Sequence, residues 1–191
     1  MPAELPILAF ASPTEWEVWL EAEHATAPGL WLKIAKKGSG IATVTYAEAL
    51  DVALCFGWID GQKRGFDETW FLQRFTPRTR QSRWSQINTE HVARLIGQGR
   101  MRPAGLEQVE AAQADGRWEA AYEGQKTASV PADLQAALDA NPRAAAFFAT
   151  LTGASRYAIL YRVQQPAKRP GTRARRIEQY VAMLARGETL H

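Results

Sequence analysis

Hydrophobic side chains near the N-terminus first recur at helical spacing and then alternate. A helix is predicted to begin at Ser12, because Ser12 and Glu15 have the spacing of a capping box and apolar residues follow on one helical face. Residues 30–36 alternate between the two sides of an extended chain, which predicts a strand with one buried face. The first elements are therefore a helix and a strand that share a core.

A second helix and a hairpin follow this strand. Thr45 and Glu48 again have capping-box spacing, and the helix that they begin is predicted to end at Gly57. Residues 58–63 and 69–75 are extended segments joined by a short turn, which predicts a β-hairpin. With the preceding strand, the hairpin gives a small three-stranded, largely antiparallel sheet packed with helices.

The rest of the chain has only helical periodicity. Helices are predicted over residues 89–122, and the polar segment 123–129 has the composition of a linker. We therefore predict an α+β fold in two domains. The first is residues 1–128, with its sheet region at about 30–76, and the second is an all-helical C-terminal module at residues 129–191.

Composition and charge narrow the class of protein. The chain has 191 residues, of which 46% are hydrophobic and 23% are charged, and its net charge is +3. These values are typical of a globular protein. No apolar run approaches the ~20 residues that span a bilayer, so we expect no membrane span. The N-terminus lacks the pattern of a secretory signal, and we expect a cytoplasmic protein.

Neither a metal nor a cofactor is expected. His24, His91 and His191 are scattered without ligand spacing, and no glycine-rich segment has the pattern of a nucleotide-binding loop. Cys55 is the only cysteine, which excludes an internal disulfide. Because a helix C-terminus disfavours a thiolate, we interpret Cys55 as a small buried side chain and assign no catalytic residue.

The stretch 55–88 combines tryptophan with cationic side chains at high density. It holds three Trp and six Lys or Arg, and residues 69–89 contain no acidic side chain. Arginine guanidinium groups beside hydroxyl groups can donate paired hydrogen bonds to a phosphate or a carboxylate. This stretch is therefore the candidate site for an anionic ligand. The candidate ligand-binding residues are Trp58, Asp60, Lys63, Arg74, Arg78, Arg80, Ser82, Trp84, Ser85 and Asn88.

Other interpretations of this stretch stay open. The arginine-rich loop is equally suited to lie over the sheet and to pair with acidic residues around Glu107 and Glu110. Asp60 has the chemistry of an acid or base beside Arg74 or Lys63, which would make the chain an enzyme with a pocket under Trp58. A structural salt bridge between Asp60 and Arg74 explains the same residues without catalysis.

A second basic segment lies at residues 162–176. It holds six Lys or Arg and no acid, and its weak candidates for contact with nucleic acid or another anion are Arg173, Arg175 and Arg176. No aromatic residue interrupts it, unlike the base-stacking surfaces of nucleic-acid modules. We therefore interpret it as a solvated helix start that faces acidic residues elsewhere, and we do not expect a nucleic-acid partner.

Five ordered motifs run through most of the chain, from about Trp31 to its end. They are YAEALDVALCFGWIDGQKRGFDE, RFTPRTRQSRWSQIN, GRMRPAGL, ADGRWEAAY and AKRPGTRARRI. These motifs resemble the YdeI/OmpD-associated family, also labelled bacteriocin-protection proteins. The signature positions that match are Gly57, Trp58, Asp60, Gly61, Arg74, Pro77, Arg78, Ser82, Trp84, Ser85 and Asn88.

The resemblance implies a fold and a broad biological role, but no reaction. It implies a helix-and-small-sheet N-terminal part, a short helical C-terminal module, and a link to resistance against antimicrobial peptides or bacteriocins. Family descriptions suggest a periplasmic location for some members, whereas this N-terminus carries no export pattern. No catalytic residue comes with the family.

These observations together favour a stress or antimicrobial-resistance protein without catalytic activity. We expect it to bind an anionic small molecule or a protein partner through the sheet and the loop at 74–88. An enzyme with a pocket around Asp60 is the alternative hypothesis, and a binder of the nucleic-acid backbone is the third. The pattern carries no information on oligomeric state.

Overall fold

The structure is a computed structural model, and it describes residues 4–167 and 169–190. Lys168 and His191, which contribute to the basic segment and the histidine count above, lie outside the described residues. The chain divides into two compact units, Met1–Ala121 and Tyr122–His191, whereas the division predicted from the polar linker falls after residue 128. Each unit has its own hydrophobic core.

The first unit is an α+β fold, as the alternation and the helical spacing predict. Both capping signals are present, since Ser12 accepts a hydrogen bond from the Glu15 amide and the Thr45–Glu48 capping box is closed in both directions. Its elements in chain order are β1 (Ile7–Leu8), α1 (Pro13–Glu23), β2 (Leu30–Ala35), α2 (Tyr46–Cys55), β3 (Trp58–Gly65), β4 (Trp70–Pro77), α3 (Gln86–Gly97) and α4 (Pro103–Ala114).

The sheet has four strands in the order β1-β2-β4-β3 and is mixed. The β2–β4 and β4–β3 pairs are antiparallel, as the hairpin predicts, but β1 pairs with β2 in parallel. The prediction of three strands was therefore wrong by one. β1 has only two residues, Ile7 and Leu8, which is too short for a period of two to be visible in the sequence.

Helices α1 and α2 supply one side of the first core, and β2, β3 and β4 supply the other. Trp58 joins them, because its ring lies edge-on to Trp16 at 6.2 Å and to Trp19 at 5.8 Å. Its indole N–H donates to the backbone oxygen of His24 at 3.1 Å, so the polar atom of this buried ring is satisfied. The aromatic cluster thus ties the end of α1 to the start of β3.

The C-terminal end of α2 and the start of α4 approach each other closely. The backbone oxygen of Cys55 accepts a hydrogen bond from the Arg102 amide at 3.0 Å. A Cβ atom on Gly105 would lie 2.2 Å from that same oxygen. Gly57 is also restricted, since its φ is +73° and a Cβ there would lie 2.8 Å from the backbone oxygen of Ala104. Both glycines are required by this contact.

The second unit is helical. Its elements are α5 (Ala132–Asp139), α6 (Pro142–Thr150), α7 (Gly153–Val163) and α8 (Thr172–Ala185). Their apolar faces meet in a core that includes Leu134, Phe148, Leu160 and Val181. In either described range of the chain, no helix has the length and apolar character that crossing a membrane requires.

An ionic cluster between α2 and α3 should make the stability of the first unit depend on pH. Asp51 accepts hydrogen bonds from Arg94 at 2.7 Å and from His91 at 3.0 Å. Burial acts to raise the pKa of Asp51, but the hydrogen bonds and charges of Arg94 and His91 outweigh it and hold the pKa below its usual value. The carboxylate therefore stabilises the fold above the ordinary pKa of an aspartate, and this contribution is lost as the pH falls through the lower pKa of the folded state.

We expect Asp51→Asn to be less stable than the natural chain at pH 6, and we expect this difference to shrink towards pH 3. Urea unfolding at a series of pH values measures it. Glu90→Gln, which removes an exposed carboxylate from α3, is the matched control and should show a smaller difference at pH 6. A penalty for Asp51→Asn that is constant from pH 6 to pH 3 would contradict the assigned ionic role.

Candidate functional site

The strand register divides the sheet into a helix-covered face and an outer face. Leu30, Leu32 and Ile34 of β2 are buried in the core together with Phe75 of β4. The alternate positions of the strands and the β3–β4 turn form the other surface, which we call the outer sheet face. It consists of Trp31, Lys33, Arg64, Phe66, Trp70, Leu72 and Arg74.

Two rows of side chains cross the outer sheet face. In one row Leu72 of β4 lies between Lys33 of β2 and Arg64 of β3. In the other row Arg74 of β4 lies opposite Trp31 of β2. Leu72 is only 1% exposed, although it does not belong to the hydrophobic core of the first unit. Its neighbours across the two strands are the cationic residues Lys33 and Arg64. The long stems of the cationic side chains are suited to cover it, as stems of Lys and Arg commonly cover apolar surface.

Cations and aromatic rings are in direct contact on this face. The guanidinium carbon of Arg64 lies 4.2 Å from the centre of the Trp31 ring. The ammonium of Lys33 lies 4.5 Å from the Trp70 ring and 4.6 Å from the Phe66 ring. Contacts of this type contribute roughly 0.5–1 kcal/mol each at exposed sites, so they hold the side chains in place without neutralising their charge.

The positive charge of the outer sheet face is not balanced locally. Within the described ranges, no carboxylate lies within 4 Å of the charged groups of Lys33, Arg64 or Arg74. The nearest acidic segment is the turn at Asp67, whose Oδ1 accepts hydrogen bonds from Thr69 and Trp70.

The Asp67 carboxylate is already held in its charged form by the turn itself. Desolvation acts to raise the pKa of Asp67, but the hydrogen bonds from Thr69 and Trp70, together with the charge of Lys33, hold the pKa below its usual value. The turn carboxylate therefore acts electrostatically on Lys33, whereas Arg64 and Arg74 have no ion-pair partner within the described ranges.

A β-bulge separates Asp60 from Arg74. The register shifts by one residue between Asp60 and Lys63. The Gln73 side chain stabilises this bulge by donating to the backbone oxygen of Gly61 at 2.9 Å. Asp60 pairs with Phe75 and so lies on the helix side of the sheet, whereas Arg74 lies on the outer sheet face. The structure does not bring these two residues together, either as a salt bridge or as a catalytic pair.

Asp60 and Lys63 have other neighbours. The Tyr46 hydroxyl donates to Asp60 Oδ2 at 2.8 Å. The ammonium of Lys63 lies 4.2 Å from the Phe71 ring. Both contacts lie at the exposed margin of the sheet, and neither residue faces the cations described above.

The arginine-rich loop after β4 is built largely from contacts within itself. The Arg78 guanidinium lies 3.4 Å over the Trp84 ring and donates to the backbone oxygen of Arg83 at 3.3 Å, and its residue is only 5% exposed. Ser82 accepts a hydrogen bond from the Thr79 amide at 3.0 Å. These contacts favour the structural interpretation of the loop over direct anion binding by Arg78 and Ser82.

Asp115 is an acidic neighbour of this loop. Arg117 donates to Asp115 at 2.8 Å and also to the backbone oxygen of Ser82 at 3.1 Å, which fastens the loop to the segment after α4. The hydrogen bond from Arg117 is the main reason why the pKa of Asp115 lies below its usual value, and the charge of the exposed Arg80 adds to it.

The last predicted residues of the stretch have packing and capping contacts. Trp84 is buried against Trp118, with ring centres 4.9 Å apart. Ser85 caps α3 by accepting a hydrogen bond from the Asn88 amide at 3.2 Å. Asn88 itself is buried. These positions stabilise the start of α3.

Two predicted residues, Trp58 and Arg78, line a surface cleft of about 420 Å³. Its other walls include His24, Glu107 and Gln108. The cleft contains one acidic and one cationic side chain, so it carries no strong preference for an anion. It is a second place where a small ligand would fit.

The C-terminal basic segment is also used mainly in local contacts. Arg173 binds Asp133 at 2.6 Å and the backbone oxygen of Val163 at 2.6 Å. Arg176 donates to the backbone oxygen of Arg162 at 2.7 Å, so both side chains satisfy carbonyl groups at the end of α7. Arg175 is exposed. The acidic partner expected for this segment is therefore Asp133.

Cys55 is buried at the C-terminal end of α2. Burial raises the pKa of the Cys55 thiol to about 11, so the thiol is protonated at neutral pH. Over the described parts of the chain, no three His, Cys, Asp or Glu side chains are grouped as metal ligands would be.

Sequence reasoning missed most of the outer sheet face, although a signal for it was present. Trp31 and Lys33 are the outward positions of a strand whose other positions are Leu30, Leu32 and Ile34. Cationic and aromatic residues at every second position therefore mark one face.

Two family models match the chain in different parts. Residues 8–108 match the family described as "Domain of unknown function (DUF8412)". Residues 127–187 match the family described as "Bacteriocin-protection, YdeI or OmpD-Associated", which confirms the resemblance for the C-terminal helical unit. The first three motifs, including the signature positions from Gly57 to Asn88, fall within the other match, whereas ADGRWEAAY at residues 114–122 lies between the two matches. No curated protein and no solved structure gave a significant match to the chain.

Proposed function

We propose that this chain, which belongs to the DUF8412 family over residues 8–108, binds an anion without catalysing a reaction. Its residues 127–187 form a module of the bacteriocin-protection, YdeI or OmpD-associated type. The observation that supports the proposal is the charge of the outer sheet face. Lys33, Arg64 and Arg74 lie on this face of three adjacent strands, and within the described ranges none of them has a carboxylate within 4 Å. An extended anion laid across the three strands would pass over all three positions.

The site differs from the one expected from sequence in all but one residue. Arg74 is common to both, and it is held beside Gly61, where the absence of a side chain leaves its Nε close to the β3 backbone. Cationic side chains fixed by aromatic contacts lose less conformational entropy when they bind an anion. This preorganisation favours binding of a ligand over a purely solvated surface.

The biological role that fits this activity is resistance to stress or to antimicrobial peptides and bacteriocins. The name of the C-terminal family supports that role. We also propose that the protein binds its ligand in the cytoplasm. An enzyme centred on Asp60 is disfavoured, because Asp60 and Arg74 lie on opposite faces of the sheet.

Binding of inorganic polyphosphate tests the proposal. We expect polyphosphate to raise the melting temperature of the natural chain at low salt, and we expect this rise to fall as salt is added because screening weakens the contacts. In the double variant Arg64→Gln/Arg74→Gln, the affinity should drop about tenfold or more, since hydrogen bonds to charged groups contribute roughly 1.5–3 kcal/mol each. Arg143→Gln removes an exposed arginine from α6 and should bind as the natural chain does.

Two results would count against the proposal. One is a natural chain whose melting temperature does not respond to polyphosphate at low salt. The other is an equal loss of affinity in the double variant and in Arg143→Gln, because the effect would then depend on net charge and not on the outer sheet face.

A further inference from the structure

We propose that the ligand of the outer sheet face is a single-stranded nucleic acid, with its phosphates on the cations and its bases stacked on the aromatic rings. The inference rests on the proposed anion-binding function and specifies its ligand. It differs from phosphate contact alone in requiring the aromatic rings Trp31, Phe66 and Trp70 as well as the charges.

The first argument is the mixture of residues on this face. Every ring on it contacts a cation, with distances of 4.2–4.6 Å between the charged group and the ring centre. A simple anion such as phosphate has no use for aromatic rings, whereas a nucleotide offers both a phosphate and a base that stacks. Phe66 is 48% exposed, and a base that approaches Trp31 would meet the exposed Arg64, whose guanidinium carbon lies 4.2 Å from that ring.

The second argument is the shape of the surface. β3 and β4 each have eight residues, which gives strands of about 26 Å at ~3.3 Å per residue. Three adjacent strands form a platform about 10 Å wide, at ~4.8 Å between neighbours. Unstacked bases can lie on such an open platform, as in sheet-based modules for single strands. Reading a duplex instead requires a helix or ribbon that enters a groove, and this face projects neither.

The third argument is the arrangement of charge around the platform. The Arg64 guanidinium lies over Trp31, which pairs with Arg74, while Asp67 and Glu68 directly follow Phe66 in the chain. Phosphates are therefore expected near the two arginines, and a base rather than a phosphate is expected next to Phe66. A membrane surface fits less well, because Trp31 and Trp70 are half-buried and do not project as anchors would.

The experiment compares ligands that share charge but differ in bases. Fluorescence anisotropy of labelled dT20 is measured for the full chain, with unlabelled dT20, unlabelled rU20, a 20-base-pair duplex and inorganic polyphosphate of about 20 phosphates as competitors. We expect dT20 or rU20 to compete at least about tenfold better than polyphosphate, because stacking adds to the phosphate contacts. With three cations engaged, the logarithm of the affinity should fall with the logarithm of the salt concentration with a slope of about −2.

Variants separate the bases from the charges. Phe66→Leu keeps the net charge and the exposed apolar surface but removes one ring. It should weaken dT20 about fivefold or more and leave polyphosphate unchanged, since stacking on one ring contributes roughly 1–3 kcal/mol. Phe66→Tyr restores a ring and should restore binding. The melting temperature of each variant, measured without ligand, verifies that it is folded.

The outcomes are distinct. The inference is supported if dT20 or rU20 binds more tightly than polyphosphate and if this binding depends on Phe66. The comparison of dT20 with rU20 then shows whether DNA or RNA is preferred. Equal competition by polyphosphate, or no effect of Phe66→Leu on dT20, overturns the inference and leaves anion binding in place. Tighter binding of the duplex overturns it as well. If neither the strands nor polyphosphate bind at low salt, both proposals are wrong.

Discussion

Trp58→Ala is expected to lower the free energy of unfolding of the N-terminal unit by about 3–5 kcal/mol, the range found when a buried aromatic side chain is truncated. Trp58 is only 1% exposed and its ring contacts two further tryptophans. The substitution removes these contacts and also leaves the backbone oxygen of His24 without its indole donor. Such a loss is a large fraction of the ~5–15 kcal/mol that usually stabilises a domain.

Urea unfolding followed by tryptophan fluorescence measures this change selectively. All seven tryptophans lie between Trp16 and Trp118, so the signal comes from the first unit alone. Trp58→Phe retains a ring but loses the hydrogen bond, and we expect an intermediate loss. A Trp58→Ala chain that unfolds within about 1 kcal/mol of the natural one would mean that this ring is not part of the core.

Gly105→Ala should have the second largest effect, because it separates α4 from the end of α2. The added carbon would lie 2.2 Å from the backbone oxygen of Cys55 and 2.9 Å from the Met101 side chain. Met101 can move, but the Cys55 oxygen belongs to the backbone and also accepts the Arg102 amide. We expect a loss of about 1–3 kcal/mol or more, as for overpacked cores.

Gly97→Ala is the matched control for this substitution. Gly97 is also in a helix, but a Cβ atom there would have no neighbour within 4 Å. Alanine is favoured over glycine in helices by about 0.8–1 kcal/mol, so this variant should be equally or more stable than the natural chain. If both variants change the urea midpoint in the same direction, the close approach of α4 to α2 is not the cause.

Local sequence signals were sufficient for most of the first unit. Thr45 and Glu48 located the start of α2, and the alternation of Leu32 and Ile34 located β2. These features depend on neighbours within four residues, so they are visible in the sequence. β1 was not predicted because its two residues form a strand only by pairing with β2. The adjacent Pro6 takes part in this contact, since its backbone oxygen accepts a hydrogen bond from the Trp31 amide at 2.8 Å.

The candidate site depended on information that no local signal contains. Whether Asp60 meets Arg74 is decided by strand register, and the bulge before Lys63 changes that register by inserting one extra residue into β3. Whether Arg78 is open to a ligand is decided by the packing of Trp84, six residues later. The residue types were visible in both cases, but their faces and partners follow from tertiary structure.

The bulge has a further consequence for how copies of this chain behave together. β3 is an edge strand, and a regular edge strand would offer its unused backbone groups to another molecule. Here the bulge interrupts the edge strand at Gly61 and Gln62. If the β3 strands of two copies paired, the exposed Lys63 and Arg64 of each copy would repel those of the other. The irregularity that separates Asp60 from Arg74 thus also protects the protein against aggregation through its sheet.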